Sequence, residues 1–384
     1  MHLRNGNLLT IVAAIITIGC ITVSAQPLTT LHSFNGGDGR APEATLVQGS
    51  DGNFYGTTPL GGAHAKGTVF KIDSTGNLTT LHSFSGFPAD GAVPVAGLVQ
   101  GSDGNFYGTT ASGGAFYQGT IFRITSSGAI TVLHSFNSFF SEGAVPIAPL
   151  MQASDGNFYG ATTLGGAHHK GTIFKIDAAG AFTTLHSFSG SPSEGASPVA
   201  ALVQGSGGDF YGTTASGGEH FQGTVFRITS SGALTVLHSF SGSPAQGAVP
   251  FAALVQGSDG NFYGTTALGG AHFKGTVFKI DSTGSLTTLH SFSGSPGDGA
   301  NPVAGLVQGS DGNFYGTTAL GGTHSRGTVF SIDAAGSLTT LHSFSGSPSE
   351  GALPFAGLVQ GSDGNFYGTT ALGGTHGAGT VFNL

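Results

Sequence analysis

Ala253-Leu254-Val255-Gln256-Gly257-Ser258-Asp259-Gly260-Asn261-Phe262-Tyr263-Gly264-Thr265-Thr266 reads as two short strands around one turn. Ala253 to Gln256 is a brief apolar run. Gly257 to Gly260 supplies Asp and Gly, which tolerate left-handed turn geometry. Phe262 to Thr266 is rich in aromatic and β-branched strand formers. A longer Gly-rich loop, Ala267 to Gly275, carries His272 and Lys274 and leads into a third strand, Thr276 to Ile280. Asp281-Ser282-Thr283-Gly284 then turns the chain into a fourth strand, Leu286 to Phe292, and a Ser/Gly/Pro link follows. Four short strands, two tight hairpins and no helical periodicity make one propeller blade.

The unit recurs. The tyrosine of Phe-Tyr-Gly stands at Tyr55, Tyr107, Tyr159, Tyr211, Tyr263, Tyr315 and Tyr367, each 52 residues after the last. His-Ser-Phe begins at His32, His82, His134, His186, His238, His290 and His342, and only the first interval is two residues shorter. A solenoid is the competing repeat architecture, but it would leave both ends unpaired and want polar caps, which are absent. The two ends complement each other instead. Leu28 to Phe34 is a fourth strand with no blade before it, and Pro354 to Leu384 stops after a third. The reading is therefore an all-β, seven-bladed β-propeller with four strands per blade. A single domain spans 26–384, and the N-terminal strand 28–34 pairs with 354–384 to complete the last blade. Alternate blades share finer detail, such as Arg123 and Arg227 against Lys71, Lys175 and Lys279, which points to amplification of a two-blade unit.

Leu-Val-Gln-Gly-Ser-Asp-Gly-Asn-Phe-Tyr-Gly-Thr-Thr, followed by Gly-Gly and then Gly-Thr-Val-Phe-Lys-Ile, resembles the bacterial extracellular tandem repeats called GloVer, after Gloeobacter and Verrucomicrobia. The resemblance covers residues 28–384. It implies an exported repeat protein and brings no established activity or catalytic residue. Such proteins often end in a surface-sorting tail. The sequence ends at Asn383-Leu384 without one, so no C-terminal anchor is expected.

Composition narrows the function. Only 8% of the 384 residues are Asp, Glu, Lys or Arg, against about 25% in ordinary soluble domains. Sixty-nine glycines beside 30 phenylalanines mean many tight turns between strands rather than disorder. A net charge of −8 with no basic stripe excludes nucleic acid and disfavours an anionic membrane surface. His2 and Arg4, the apolar run Leu8 to Val23 and the small residues Val23-Ser24-Ala25 read as a secretory signal over 1–25. The run is too short for a membrane span of about 20 residues. The sole cysteine, Cys20, falls inside this leader, so no thiol is left for a disulfide, a metal or nucleophilic chemistry. Gly19-Cys20 offers the alternative of a lipid anchor. Location is accordingly extracellular or periplasmic.

No cofactor and no metal is expected. Each Ser-Asp-Gly-Asn turn offers one carboxylate, whereas calcium wants six to eight oxygens. Leu60-Gly61-Gly62 precedes no helix that could hold phosphate, and without Trp the chain lacks the docking motif of quinone-cofactor propellers. The seven His-Ser-Phe histidines read as structural ties from the outer strand to a neighbouring loop, because a single ligand site needs one copy.

The long loops and the links share one face of the disc. That face gathers His64, His168, His220, His272, His324 and His376, with Lys66, Lys170, Lys274 and Arg326. It also carries the link acids Asp90, Glu142, Glu194, Asp298 and Glu350. Solvation and blade-to-blade ion pairs account for such a set, and so does a binding face. Extra aromatics favour the second and third blades: Phe87 in one link, Phe116 and Tyr117 in the long loop, Phe139 and Phe140 in the next link. They form either a local core or a ligand surface. The candidate site is thus Phe87, Phe116, Tyr117, Phe139, Phe140, Glu142 and His168, on a non-catalytic binding or scaffold propeller whose ligand is a glycan or a protein. The alternative is a polysaccharide hydrolase or lyase using the link carboxylates and loop histidines.

Export is checked by mass. The secreted protein should begin at Gln26; a lipid-modified Cys20 recovered from membranes would overturn the soluble assignment.

Overall fold

In the computed structural model, residues 27–137, 141–244 and 246–384 are described. The leader, Cys20, Phe139 and Phe140 lie outside them. Each blade grows from its second strand. In the fifth blade this is Phe262–Thr266, buried along its whole length between Val255–Gln256 on one side and Thr276–Ile280 on the other. Gly264 sits opposite Phe278, and a Cβ there would meet the Phe278 ring at 2.7 Å. Only glycine lets the phenyl ring lie flat across the strand. Leu286–Ser291 completes the sheet, with a β-bulge opposite Val277 and Phe278 that recurs in the other outer pairs. Such a bulge turns the strand and re-aims its side chains.

Among the described residues there are seven four-stranded antiparallel sheets and no helix. The seventh is built from both ends of the domain. Thr29–Ser33 pairs with Thr380–Asn383, in register Thr30 to Phe382 and His32 to Val381, beside Phe366–Thr370 and Val359–Gln360. The closure read from the sequence is therefore present.

Two interactions recur between neighbouring blades near the turn face. The tyrosine of each second strand stacks on the phenylalanine of the next blade's second strand, from Tyr55 on Phe106 at 3.9 Å round to Tyr367 on Phe54 at 4.0 Å. Next to it, the N–H of each turn serine donates to the following blade's glutamine Oε1. The chain of bonds runs from Ser50 and Gln100 at 3.0 Å to Ser362 and Gln48 at 2.9 Å. Both rings close.

On the opposite face each link pairs with the next long loop. Arg40 bridges Leu60, Ala92 bridges Ser112, Ala144 bridges Leu164 and Ala300 bridges Leu320. Short two-stranded ladders do the same at Gly195–Ala196, Gly247–Ala248 and Gly351–Ala352. Long loops and links thus form one continuous surface.

Deleting Leu28 to Phe34 while keeping the leader should destabilise the protein by on the order of 5 kcal/mol, from the lost burial of Leu28, Leu31 and Phe34 alone. Secretion as a monomer with an unchanged melting temperature would refute ring closure.

Candidate functional site

The outer-strand histidines are structural ties. His82 Nε2 lies 2.6 Å from Asp90, His134 3.2 Å from Glu142, His186 3.2 Å from Glu194 and His342 3.3 Å from Glu350. His32 meets Asp38 and His290 meets Asp298, while in the fourth blade Gln246 replaces the acid beside His238. The same acids accept backbone N–H groups of the link. Asp90 takes those of Ser85 and Gly86 besides the Ser85 hydroxyl. Glu142, a candidate ligand residue from the sequence, accepts from His134 and from the Asn137 N–H. The blade-to-blade ion pairs expected between these acids and the loop cations are not formed. Lys66, Lys170, Lys274 and Arg326 have no ion-pair partner among the described residues, and the acids turn inward to histidine.

Electrostatics follow this wiring. Burial alone would raise the Asp298 carboxyl, but His290 and the N–H and hydroxyl of Ser293 outweigh it and hold it down at about 2. Asp90, Glu194 and Glu350 are lowered in the same way, against burial, by their link serines and strand histidines. Burial pushes His134 and His238 below the ordinary imidazole value, against the raising influence of Glu142 and Gln246. Each link acid is taken up by its strand histidine and by N–H groups of the link, so neither member of the tie is free to meet a substrate.

The turn face is occupied too. Asp51 accepts the Tyr55 hydroxyl at 2.7 Å and the Asn53 amide at 2.8 Å, and the arrangement repeats in the other blades that keep the turn aspartate. Burial and that aspartate push Tyr107 and Tyr263 up to about 12.

The long-loop face differs. Its tips adopt left-handed backbone at Ala65, Tyr117, His169, Phe221, Phe273 and Ser325, a conformation uncommon for bulky residues. Tyr117, Phe221 and Phe273 are 61%, 70% and 69% exposed, the highest values of any large apolar side chain described. Tyr117 stacks on Phe87 of the neighbouring link, centroids 3.8 Å apart and planes 13° apart. Beside the pair lies a cavity of about 340 Å³ bordered by Lys66, Ser112 and Gly113. Phe116 and His168 are exposed nearby on their own loops. So Phe87 and Tyr117 come together, Phe116 and His168 share their face, and Glu142 is engaged by its histidine.

Sequence reading missed Phe221 and Phe273. The signal was their column: both occupy the tip position of Tyr117, at multiples of 52 residues. It also missed the rim of the central channel. Glu43, Val95, Ile147, Val199, Phe251, Val303 and Phe355 occupy one position in the seven blades and line a cavity of about 340 Å³. Twelve large apolar side chains are exposed among the described residues. Five are long-loop leucines, four are long-loop aromatics, one is Phe87, and Phe251 and Phe355 complete the set at the channel rim. Every one belongs to the long-loop side of the disc.

The pattern of the Gloeobacter/Verrucomicrobia repeat matches residues 17–221, 140–308 and 200–384, and the chain belongs to this family. No curated protein sequence matches it. Among solved structures, a streptogramin B lyase superposes with a TM-score of 0.61 at 15% identity, covering 93% of this chain and 96% of that one. Virginiamycin B lyase of Staphylococcus aureus gives 0.57 at 15% identity, over 93% and 98%. The extracellular domain of a protein assigned to a hybrid two-component system of B. thetaiotaomicron gives 0.59 at 11% identity, over 93% of this chain and 40% of that one. At such identities the likeness is one of fold.

The histidine–carboxylate ties carry a pH signature. Because the Asp298 carboxyl is lowered in the folded state, its contribution is present above the ordinary value of 3.8 and lost as pH falls towards about 2. The lowering corresponds to about 2 kcal/mol at neutral pH. Asp298→Asn should remove that much stability at neutral pH and flatten the acid limb between those values, as read by thermal melts across the series.

Proposed function

We propose that this propeller is a non-catalytic binding or scaffold protein that works outside the cytoplasm through its long-loop face. One observation carries the reading: every exposed large apolar side chain described lies on that side of the disc. Exposed apolar surface raises the free energy of the free protein, and contiguous patches of it mark partner sites. The turn face, by contrast, engages its side chains in internal hydrogen bonds.

The breadth of the surface favours a protein partner. Exposed leucines in five long loops and aromatic tips in the second, fourth and fifth give every blade an apolar group on this rim, a composition suited to the buried centre of an interface, where aromatics are enriched. A glycan is the second reading, and the parallel Phe87–Tyr117 pair beside Lys66 favours it. Aromatic faces stack on the apolar face of a sugar ring, and an ammonium group donates to its hydroxyls. The hydrolase or lyase alternative has little support, because the link carboxylates it would use are bonded to histidine and held ionised.

Replacing Phe87 with Ser and Tyr117, Phe221 and Phe273 with Ala should abolish binding while moving the melting temperature by less than a few degrees, since these side chains bury little in the fold. A glycan array separates the two partner classes. Retained binding by this variant would relocate the site, and release of new reducing ends from a polysaccharide would restore the enzyme reading.

A further inference from the structure

The channel rim departs from its apolar pattern at one residue. Six blades carry Val95, Ile147, Val199, Phe251, Val303 or Phe355 there, and the first carries Glu43. The backbone sets the depth of this row. Ala111 N–H donates to Val93 O, and Ala267 and Ala371 repeat the bond to Val249 and Leu353. Beside the row itself, Thr57 Oγ1 donates to Ala96 O, and Thr213 and Thr317 repeat the bond to Ala252 and Ala356, so the row stands by the last residues of the second strands, at the long-loop end of the channel. On the same wall, Gly357 N–H donates to Thr45 Oγ1 at 3.0 Å across the seam between the seventh and first blades.

Glu43 is the one acidic or basic side chain lining this cavity among the described residues. It is exposed to the channel and has no hydrogen-bond or ion-pair partner within the described chain. Desolvation by the surrounding wall pushes its carboxyl above the ordinary value. Phe251 and Phe355 are 41% and 36% exposed, and they belong to the blades that precede it round the ring, Phe355 to the adjacent one.

We infer that the channel mouth is a receptor for a small organic cation, an ammonium group carried on an apolar body, held between the Glu43 carboxylate and the apolar wall of Phe355 and Phe251. The volume of about 340 Å³ is at the small end of ligand cavities. A single carboxylate cannot supply the oxygen shell of a hard metal ion. An anion is repelled, and a neutral ligand leaves the carboxylate desolvated without a partner. An ammonium group satisfies the carboxylate with a charge-assisted hydrogen bond, its apolar body covers Val95 and Phe355, and a phenyl face attracts the cation as well. The site opens on the same side of the disc as the docking face but uses other residues, since none of Phe87, Tyr117, Phe221 and Phe273 lines it.

Titration calorimetry with 2-phenylethylammonium, against neutral 2-phenylethanol, tests the inference directly. The ammonium should bind and the alcohol should not. Glu43→Gln should weaken binding at least about tenfold, and Glu43→Val should abolish it while melting no lower than wild type. The Phe221→Ala/Phe273→Ala variant should bind the cation unchanged, which keeps this site distinguishable from the docking face. N-acetyl-lysine methylamide as a third probe separates the sources. Binding of that amide in preference to the free ammonium assigns the cation to a partner's lysine; the reverse assigns it to a free small molecule. Equal binding of ammonium and alcohol, indifference to Glu43→Gln, or absence of heat with either cation overturns the proposal.

Discussion

The structure depends on one contact made seven times, the stack of a second-strand tyrosine on the next blade's second-strand phenylalanine. Its geometry is nearly constant, with centroids 3.9 to 4.2 Å apart. Constancy is a requirement of closure, because any error per interface accumulates round the ring and must vanish at the seventh. The stack leaves little room beside it. A Cβ at Gly257 would stand 2.8 Å from Tyr263 and 3.1 Å from Phe314. The third blade carries Ala153 at this position, and there the Tyr159–Phe210 stack is the most open of the seven, at 4.2 Å and 33°. The contact beside this methyl group, at 4.2 Å against 3.9 to 4.1 Å in the other six, is wider by only 0.1 to 0.3 Å, which the ring absorbs.

Closure also decides which residues are free for function. The strand histidines, the link acids and the turn aspartates all serve the ring, since each is bonded within its own blade. Chemistry with a ligand has to come from positions the ring does not need. Those are the loop tips and the channel rim, and there the blades differ: Tyr117, Phe221 and Phe273 among small or polar tips, Glu43 among aliphatic and phenyl neighbours. Repetition marks architecture and departure from it marks the candidate sites.

That division explains what could be read from the sequence. Strand period, turn chemistry and the complementary ends are local or countable, so blade number and closure were legible from Phe-Tyr-Gly spacing and from Leu28 to Phe34. The partner of each histidine was not. Asp90 lies eight residues beyond His82, and only the bulge of the outer strand and the fold of the link bring them together. Charge proximity in sequence suggested cations on the same face as partners, and hydrogen bonding to a part-buried imidazole won. Glu43 was hidden differently. Its row reads as Val, Ile and Phe, a pattern typical of core, and the ring's curvature is what turns the row towards an open channel.

Backbone strain adds an argument that composition lacks. A bulky side chain in left-handed backbone costs about 1–3 kcal/mol, and Tyr117, Phe221 and Phe273 carry that cost while leaving more than half of each side chain in water. Gly377 occupies the same tip in the seventh blade, so the turn itself asks for nothing larger than glycine. An aromatic there gains little burial and strains its backbone. Of the three, only Tyr117 stacks on another ring among the described residues, that of Phe87. Selection for stability alone would favour glycine or asparagine at these tips, so three aromatics on one rim are best explained by a surface they meet only when a partner is bound.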